Sequence, residues 1–318
     1  SLVSYNNTEP RTGTTLKMFE TYLAADGLPI KQSPVHNYAA DNGLRLYEDA
    51  YENRDPRIAA TLVDTIKIQG AHTGYSTTGI ATWKFLPYEA NGSDLLYNGS
   101  TNVTDAPVIR YGEVLLNYAE AAAELGQFSQ ADADMTINLL RDRDIKKNNE
   151  GAVLPKLPPM IVSGETVTAN GTMIDDPERD PSVSPLIWEI RRERAVELIY
   201  EGFRKDDLKR WKKFEYLNSK EETGPSKLGL GAYVDLTDLP AGKRDGVEKA
   251  VRFYYPDPNN TDQGFVYTLY DANMRRDWQP GNPYYERQYL NAVPLDQMKL
   301  YKDLGYQLAQ NPGWDTVD

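Results

Sequence analysis

The sequence predicts a mainly α-helical protein, built of helical hairpins that carry long irregular loops and a few short strands. Three observations lead there. Residues 108–125 (V-I-R-Y-G-E-V-L-L-N-Y-A-E-A-A-A-E-L) repeat apolar residues at helical spacing, and after Gly126 a second such segment runs from Ser129 to about Ile145. Pro185 to Lys212 reads as one helix, thinned at Gly202, followed by another from Phe203 to Trp211. Between and around these hairpins, at about 108–145 and 184–214, the chain loses helical period and fills with Gly, Pro, Asn, Asp, Ser and Thr.

Leu16 to Ala25 forms a short helix stopped by Asp26-Gly27 and Pro29. Asn53-Arg54-Asp55-Pro56-Arg57 is a turn or helix entry, with Arg54 and Arg57 placed to tie the loop to nearby carboxylates. Gln69 to Ala106 is a long loop or a set of short strands. On the 108–125 helix, Tyr111, Val114, Leu115, Tyr118, Ala122 and Leu125 share the inward face, with Glu113, Asn117, Glu120 and Glu124 opposite. Ala131, Met135, Asn138 and Leu139 face inward on the next helix, and small residues let the two approach closely, as in tetratricopeptide hairpins. Lys146 to Ser184, with five prolines, reads as a surface excursion exposing Asp175, Asp176 and Glu178. In the 185–202 helix, Ile187, Trp188, Ala195, Leu198, Ile199 and Gly202 form one side and include Arg191 and Arg194 in their stripe. Inward arginines need partners, and Glu197 and Glu201 are those nearest Arg194 along the helix. Arg204 and Asp207 extend the same ion-pair network into the second helix. Glu215 to Asn273 is mostly loop with short extended pieces.

Composition bounds the function. A net charge of −12 and a pI near 4.8 disfavour nucleic acid or an anionic membrane as partner. Cysteine is absent, which removes disulfides, thiolate metal sites and cysteine nucleophiles. No apolar run reaches the ~18 residues that span a bilayer. The two histidines, His36 and His72, stand apart from any serine elbow or H-E-x-x-H motif, so nucleophilic and zinc catalysis lack a scaffold. Two carboxylates suffice for a glycosidase, which leaves that alternative open alongside a helical-repeat adaptor.

Four motifs then carry a resemblance. Glu193, Arg194, Glu197, Leu198, Glu201, Gly202, Arg204, Asp207, Leu208, Arg210 and Trp211 spell E-R-x-x-E-L-x-x-E-G-x-R-x-x-D-L-x-R-W. With N-R-D-P-R at 53–57, I-R-Y-x-E-V-L-L-N-Y-A-E-A at 109–121 and Q-N-P-G-W at 310–314, it resembles the SusD/RagB family, surface nutrient-binding lipoproteins of Bacteroidetes. Asn291-Ala292-Val293-Pro294 departs from that family's usual Trp-Pro-Ile-Pro. The resemblance implies a single SusD-like domain over 1–318 that lacks its N-terminal part. It implies a lipoprotein at the outer-membrane surface, attached only through an N-terminal anchor that this sequence does not include. Its implied ligand is a glycan, or in some members a peptide, handed to a SusC-like TonB-dependent transporter, with no catalysis and no cofactor.

Tyrosine outnumbers phenylalanine 22 to 7, and a tyrosine offers a flat apolar face with a polar tip, suited to stacking sugar rings. Tyr75 and Trp83, in the long loop, are the first ligand-binding candidates, with Tyr97, Trp278 and Tyr284 after them. The loop Asp257-Pro258-Asn259-Asn260-Thr261-Asp262 carries oxygen ligands for a possible calcium ion but lacks the glycine and distal glutamate of an EF-hand.

Overall fold

A computed structural model describes residues 13–40, 42–72, 74–84, 107–147, 150–218, 220–221, 224–268 and 286–314. The chain divides into two compact units, Ser1–Tyr200 with Lys227–Tyr270, and Glu201–Ser226 with Asp271–Asp318. The two helices expected as the 184–214 hairpin therefore belong to different units.

In the larger unit, α1 (Leu16–Thr21) starts at Thr15, whose hydroxyl accepts from Met18 N. It stops four residues short of the expected end because Arg54 takes the carbonyls a longer helix would use. Arg54 donates to Phe19 O (2.6 Å), Tyr22 O (2.9 Å) and Leu23 O (3.3 Å), with a fourth bond to Ala50 O (2.9 Å). The expected carboxylate partner for Arg54 is thus replaced by backbone. α2 (Tyr47–Tyr51) and α3 (Arg57–Thr61) flank the N-R-D-P-R turn, where Asp55 accepts from Arg57 N at 2.9 Å.

α4 (Tyr111–Glu124) ends at Gly126, which takes a left-handed φ of 67°. A reciprocal capping box between Ser129 and Asp132 opens α5 (Gln130–Met135). The helix expected to run on to Ile145 breaks at Thr136 and resumes as α6 (Ile137–Arg141). Two side chains account for the break. Thr136 Oγ1 donates back to Asp132 O at 2.5 Å, and Asn138 exchanges two hydrogen bonds with the Met160 backbone, pulling its turn outward.

Residues 146–183 hold more order than an irregular excursion. β1 (Lys146–Lys147) pairs with β2 (Glu150–Val153), and β3 (Met160–Ser163), β4 (Thr166–Ala169) and β5 (Thr172–Met173) form an antiparallel meander. Met160, Val167 and Ala169 are fully buried, and Asn170-Gly171, both at positive φ, makes the second two-residue turn. The meander packs on α5 and on α7 (Pro185–Glu197), which Ser184 caps.

In the second unit, α8 (Arg204–Arg210) leads through a 3₁₀ turn to the short hairpin of β6 (Lys220–Glu221) and β7 (Gly224–Pro225). Back in the larger unit, β8 (Leu230–Asp235) is followed by α9 (Arg244–Ala250), β9 (Arg252–Tyr254) and β10 (Gln263–Tyr267). The sheet order is β8-β10-β9, with the core of Phe19, Tyr22, Tyr47, Leu62, Ile68 and Ile80 packed against it. Among the described residues, four small sheets with short helices between them make the fold mixed α and β rather than mainly α.

The second unit ends with α10 (Leu295–Asp303), which buries none of its residues. Its Q-N-P-G-W tail docks on residues 287–293. Gln310 exchanges bonds of 2.7 and 2.9 Å with Val293, and Trp314 Nε1 donates to Arg287 O and Leu290 O. Phe214 and Tyr289 stack with centroids 4.5 Å apart.

Candidate functional site

The frame comes first. α7 buries a ladder of glutamates four residues apart, Glu189, Glu193 and Glu197, at 1%, 0% and 6% exposure. Each is met by arginines. Glu193 accepts from Arg57 (2.7 Å) through one oxygen and from Arg141 (2.8 and 2.5 Å) through the other. Glu197 accepts from Arg110 (2.7 Å) and from Arg143 (3.0 and 2.5 Å). Glu189 takes Arg192 one turn on, which also pairs with Asp176. Arg57 in turn forks onto Asp55. The N-R-D-P-R and I-R-Y motifs thus meet the E-R-x-x-E helix in space.

This corrects the sequence expectation for α7. Ile187, Trp188 and Ala195, expected on the inward side, are only half-buried, while Glu189, Glu193 and Glu197 lie within the core. Glu197 is held by Arg110 and Arg143 rather than by Arg194, whose Nη1 donates to Asn117 on α4 at 2.7 Å. Arg191 reaches Glu124, also on α4, at 3.5 Å. In the second unit, Asp207 is buried and pairs with Arg210, while Arg204 and Arg210 lie over the Trp211 ring at 5.5 and 4.9 Å. Glu201 is half-buried. Asp176 and Glu178, expected to be exposed, are engaged: Asp176 accepts from Trp188 Nε1, and Glu178 is held by Lys17, Lys31 and Lys227.

Burial alone would push the Glu193 carboxyl up, but Arg141 and Arg57 overcome it and hold the group at about 2. Glu197 is lowered in the same way, burial being outweighed by Arg143, Arg57 and Arg110. Glu189 goes the other way, because burial exceeds the pull of Arg192. Close packing is part of the device. A Cβ on Gly112 would sit 2.8 Å from Arg110 Nη1 and 3.2 Å from Glu197 Oε1, so glycine there lets the pair form. Arg110 and Lys84 also donate to the last carbonyl of the helix, at Glu197, and Lys84 to Ile199 O in the turn just after it.

The ring candidates fall outside this frame. Tyr75 is half-buried in the loop that follows Ile68. Trp83 is half-buried too, and its indole N–H donates to Ala59 O at 3.0 Å while its backbone N–H donates to Thr61 O. Both of its N–H donors are thus committed to backbone. Tyr97, Trp278 and Tyr284 lie outside the described residues. In the 257–262 loop, Asp257 and Asn260 accept backbone N–H groups of the loop itself, and Asp262 pairs with Arg244 at 2.6 Å. Among the described residues no cluster of three acidic, histidine or cysteine side chains could hold a metal ion.

Another correction concerns α4. The buried residues are Gly112, Leu115, Leu116, Ala119 and Glu120. Tyr111 (68% exposed), Val114, Tyr118 and Leu125, and in the segment that follows Met135 and Leu139, all expected inward, are exposed. The helix carries two apolar stripes, and periodicity cannot tell which one meets the core of this chain.

The buried charge of the frame is locked in pairs, and half-exposed rings lie on the connecting segments. The chain matches the SusD family over residues 5–314 and belongs to that family. No curated protein matches it. Among solved structures it is similar to a SusD-like carbohydrate binding protein from Bacteroides fragilis NCTC 9343, at 22% identity and a TM-score of 0.46, covering 86% of this chain and 47% of that one. A second SusD-like protein from the same organism gives 22% identity and 0.46, over 95% of this chain and 46% of its own. The chain therefore spans less than half the length of these structures. No helix among the described residues is long and apolar enough to cross a membrane.

Proposed function

We propose that this chain is part of a cell-surface lipoprotein that captures a glycan and passes it to a TonB-dependent outer-membrane transporter. The observation that carries the proposal is the family match over nearly the whole chain. The chemistry of the buried carboxylates supports binding over catalysis. Glu193, held at about 2 between two guanidiniums, neither gives nor takes a proton near neutral pH, and its lone pairs are already committed. Ligand contact then falls to rings on the segments outside the ladder, with Tyr75 and Trp83 the first of these.

Affinity electrophoresis and calorimetry on a panel of soluble polysaccharides test the proposal. We expect retention by at least one, weakened in Tyr75→Ala with an unchanged melting temperature. Trp83→Phe, which keeps a ring but removes the bond to Ala59, preserves retention. Release of shortened products by the purified protein would overturn the non-catalytic assignment. Failure of the full-length protein to co-purify with its neighbouring transporter would overturn the hand-over step.

A further inference from the structure

The turn that leads to Tyr75 is closed by a histidine side chain. Ile68 is fully buried, and its backbone N–H donates to His72 Nδ1 at 3.2 Å. In return the backbone N–H groups of His72 and Ala71 donate to Ile68 O, at 3.1 and 3.4 Å. Residues 68–72 are thus tied through both polar groups of Ile68, and Ser76 N donates to Lys67 O at 2.8 Å just outside them.

A glycine seats the turn. Gly70, at a left-handed φ of 89°, lies against the backbone of α9, where a Cβ would come 2.6 Å from Gly246 O and 2.8 Å from Val247 N. Tyr75 follows three residues after His72, and both rings are half-buried.

The contact with Ile68 selects one charge state of His72. Nδ1 accepts a hydrogen bond when it carries no proton, which fixes the neutral ring with its hydrogen on Nε2. A proton on Nδ1 would set N–H against N–H and strip the buried Ile68 donor of its acceptor. Burial, with Lys67, holds the ring below its ordinary range, outweighing the Ile68 backbone and Glu48 of α2, which favour the charged form. Among the described residues Lys67 and Glu48 are the charged groups that act on the ring. α9, on which the turn is seated, carries Arg244, Asp245, Glu248 and Lys249, with Arg244 and Glu248 paired to each other. A closed turn that disfavours the proton is fully held above the ordinary histidine value, ~6.5, and loosens as pH falls through the lower value of the folded ring.

We propose that His72 is an acid-released latch: its neutral ring holds the 68–72 turn closed against α9 and so sets the position of Tyr75, and protonation opens the turn. A ligand retained through Tyr75 is then held more weakly in mild acid. That effect on ligand rests on the glycan-binding reading above, whereas the latch itself does not.

Amide hydrogen exchange of the purified protein, corrected for the intrinsic effect of pH on exchange, tests the latch. The Ile68 amide loses roughly tenfold protection between about pH 7.5 and about pH 5, as expected for one hydrogen bond. His72→Asn offers an oxygen acceptor in place of Nδ1 and does not titrate, so its Ile68 protection is equal at the two pH values. In His72→Phe protection is low at both. Constant protection in wild type overturns the latch. An equal fall in His72→Asn also overturns it, and places the titrating group elsewhere, His36 being the other histidine. Affinity electrophoresis with dextran, laminarin, galactomannan and hydroxyethylcellulose at the same two pH values tests the effect on ligand. A probe that wild type retains near pH 7.5 is held several-fold more weakly near pH 5, and the difference vanishes in His72→Asn. Retention that ignores pH while Ile68 protection falls overturns the link to Tyr75 alone. Wild type that retains none of the probes at either pH overturns the glycan-binding reading and the effect on ligand with it, and the latch then stands or falls by amide exchange.

Discussion

Replacing Glu193 by glutamine keeps the shape of the side chain and removes its charge from a site where no water reaches it. Arg57 and Arg141 would then each face a neutral amide, and the amide N–H₂ would point at a guanidinium instead of accepting from it. The wild-type carboxyl is held at about 2 against an ordinary 4.5, a difference that corresponds to roughly 3 kcal/mol of folding free energy at pH 7. Glu193→Gln should therefore lose about 3 kcal/mol, which for a unit of this size lowers the melting temperature by roughly 6–12 °C. The sign with pH follows from a depressed folded-state pKa. The contribution is complete above the unfolded value and is lost as pH falls from about 5 through about 2. The gap between wild type and variant should shrink to less than half by pH 3. Melting curves followed by circular dichroism from pH 7 to pH 3 measure both quantities. Equal melting temperatures at pH 7, or a gap that stays constant into acid, would refute the account of the ladder.

Other substitutions probe other parts of the frame. Gly231→Ala places a Cβ 2.1 Å from Thr78 O, a clash with backbone, and should cost about 3 kcal/mol in a denaturant melt. Gly112→Ala should separate Arg110 from Glu197 and lower stability by about 2 kcal/mol, less in the background of Arg110→Ala, which a double-mutant cycle would show. Ser129→Ala removes the capping box of α5 and should cost about 1 kcal/mol, with faster amide exchange confined to residues 130–135.

Much of the scaffold was legible from local signals. The start of α7 was written in Ser184-Pro185, the end of α4 in Gly126 and the start of α5 in Ser129. The meander at 160–173 was not read, because the prolines around it masked its alternation and the Asn170-Gly171 turn. What could not be read was which face of a helix meets the core. On α7 the glutamates are charged, so periodicity places them outward. Arginines 57, 110, 141 and 143, scattered over almost ninety positions, make the burial of Glu193 and Glu197 tolerable, and spacing along the chain says nothing of that meeting. The binding rings were named from exposure rules alone. Trp83 proved to be partly committed to Ala59, a meeting across more than twenty residues that local exposure rules do not reveal.

The glutamate ladder also constrains the route by which this chain reaches its native state. Its partners from outside the helix arrive from three separate stretches, at Arg57, Arg110 and Arg141–Arg143, and a nascent chain that docked α7 before residues 108–143 had settled would enclose carboxylates with nothing opposite them. Partly assembled forms are thereby penalised, and the larger unit should appear all at once. The motifs that look like a family signature would then act as a checkpoint, setting the connecting segments in place only when every element beneath them has formed.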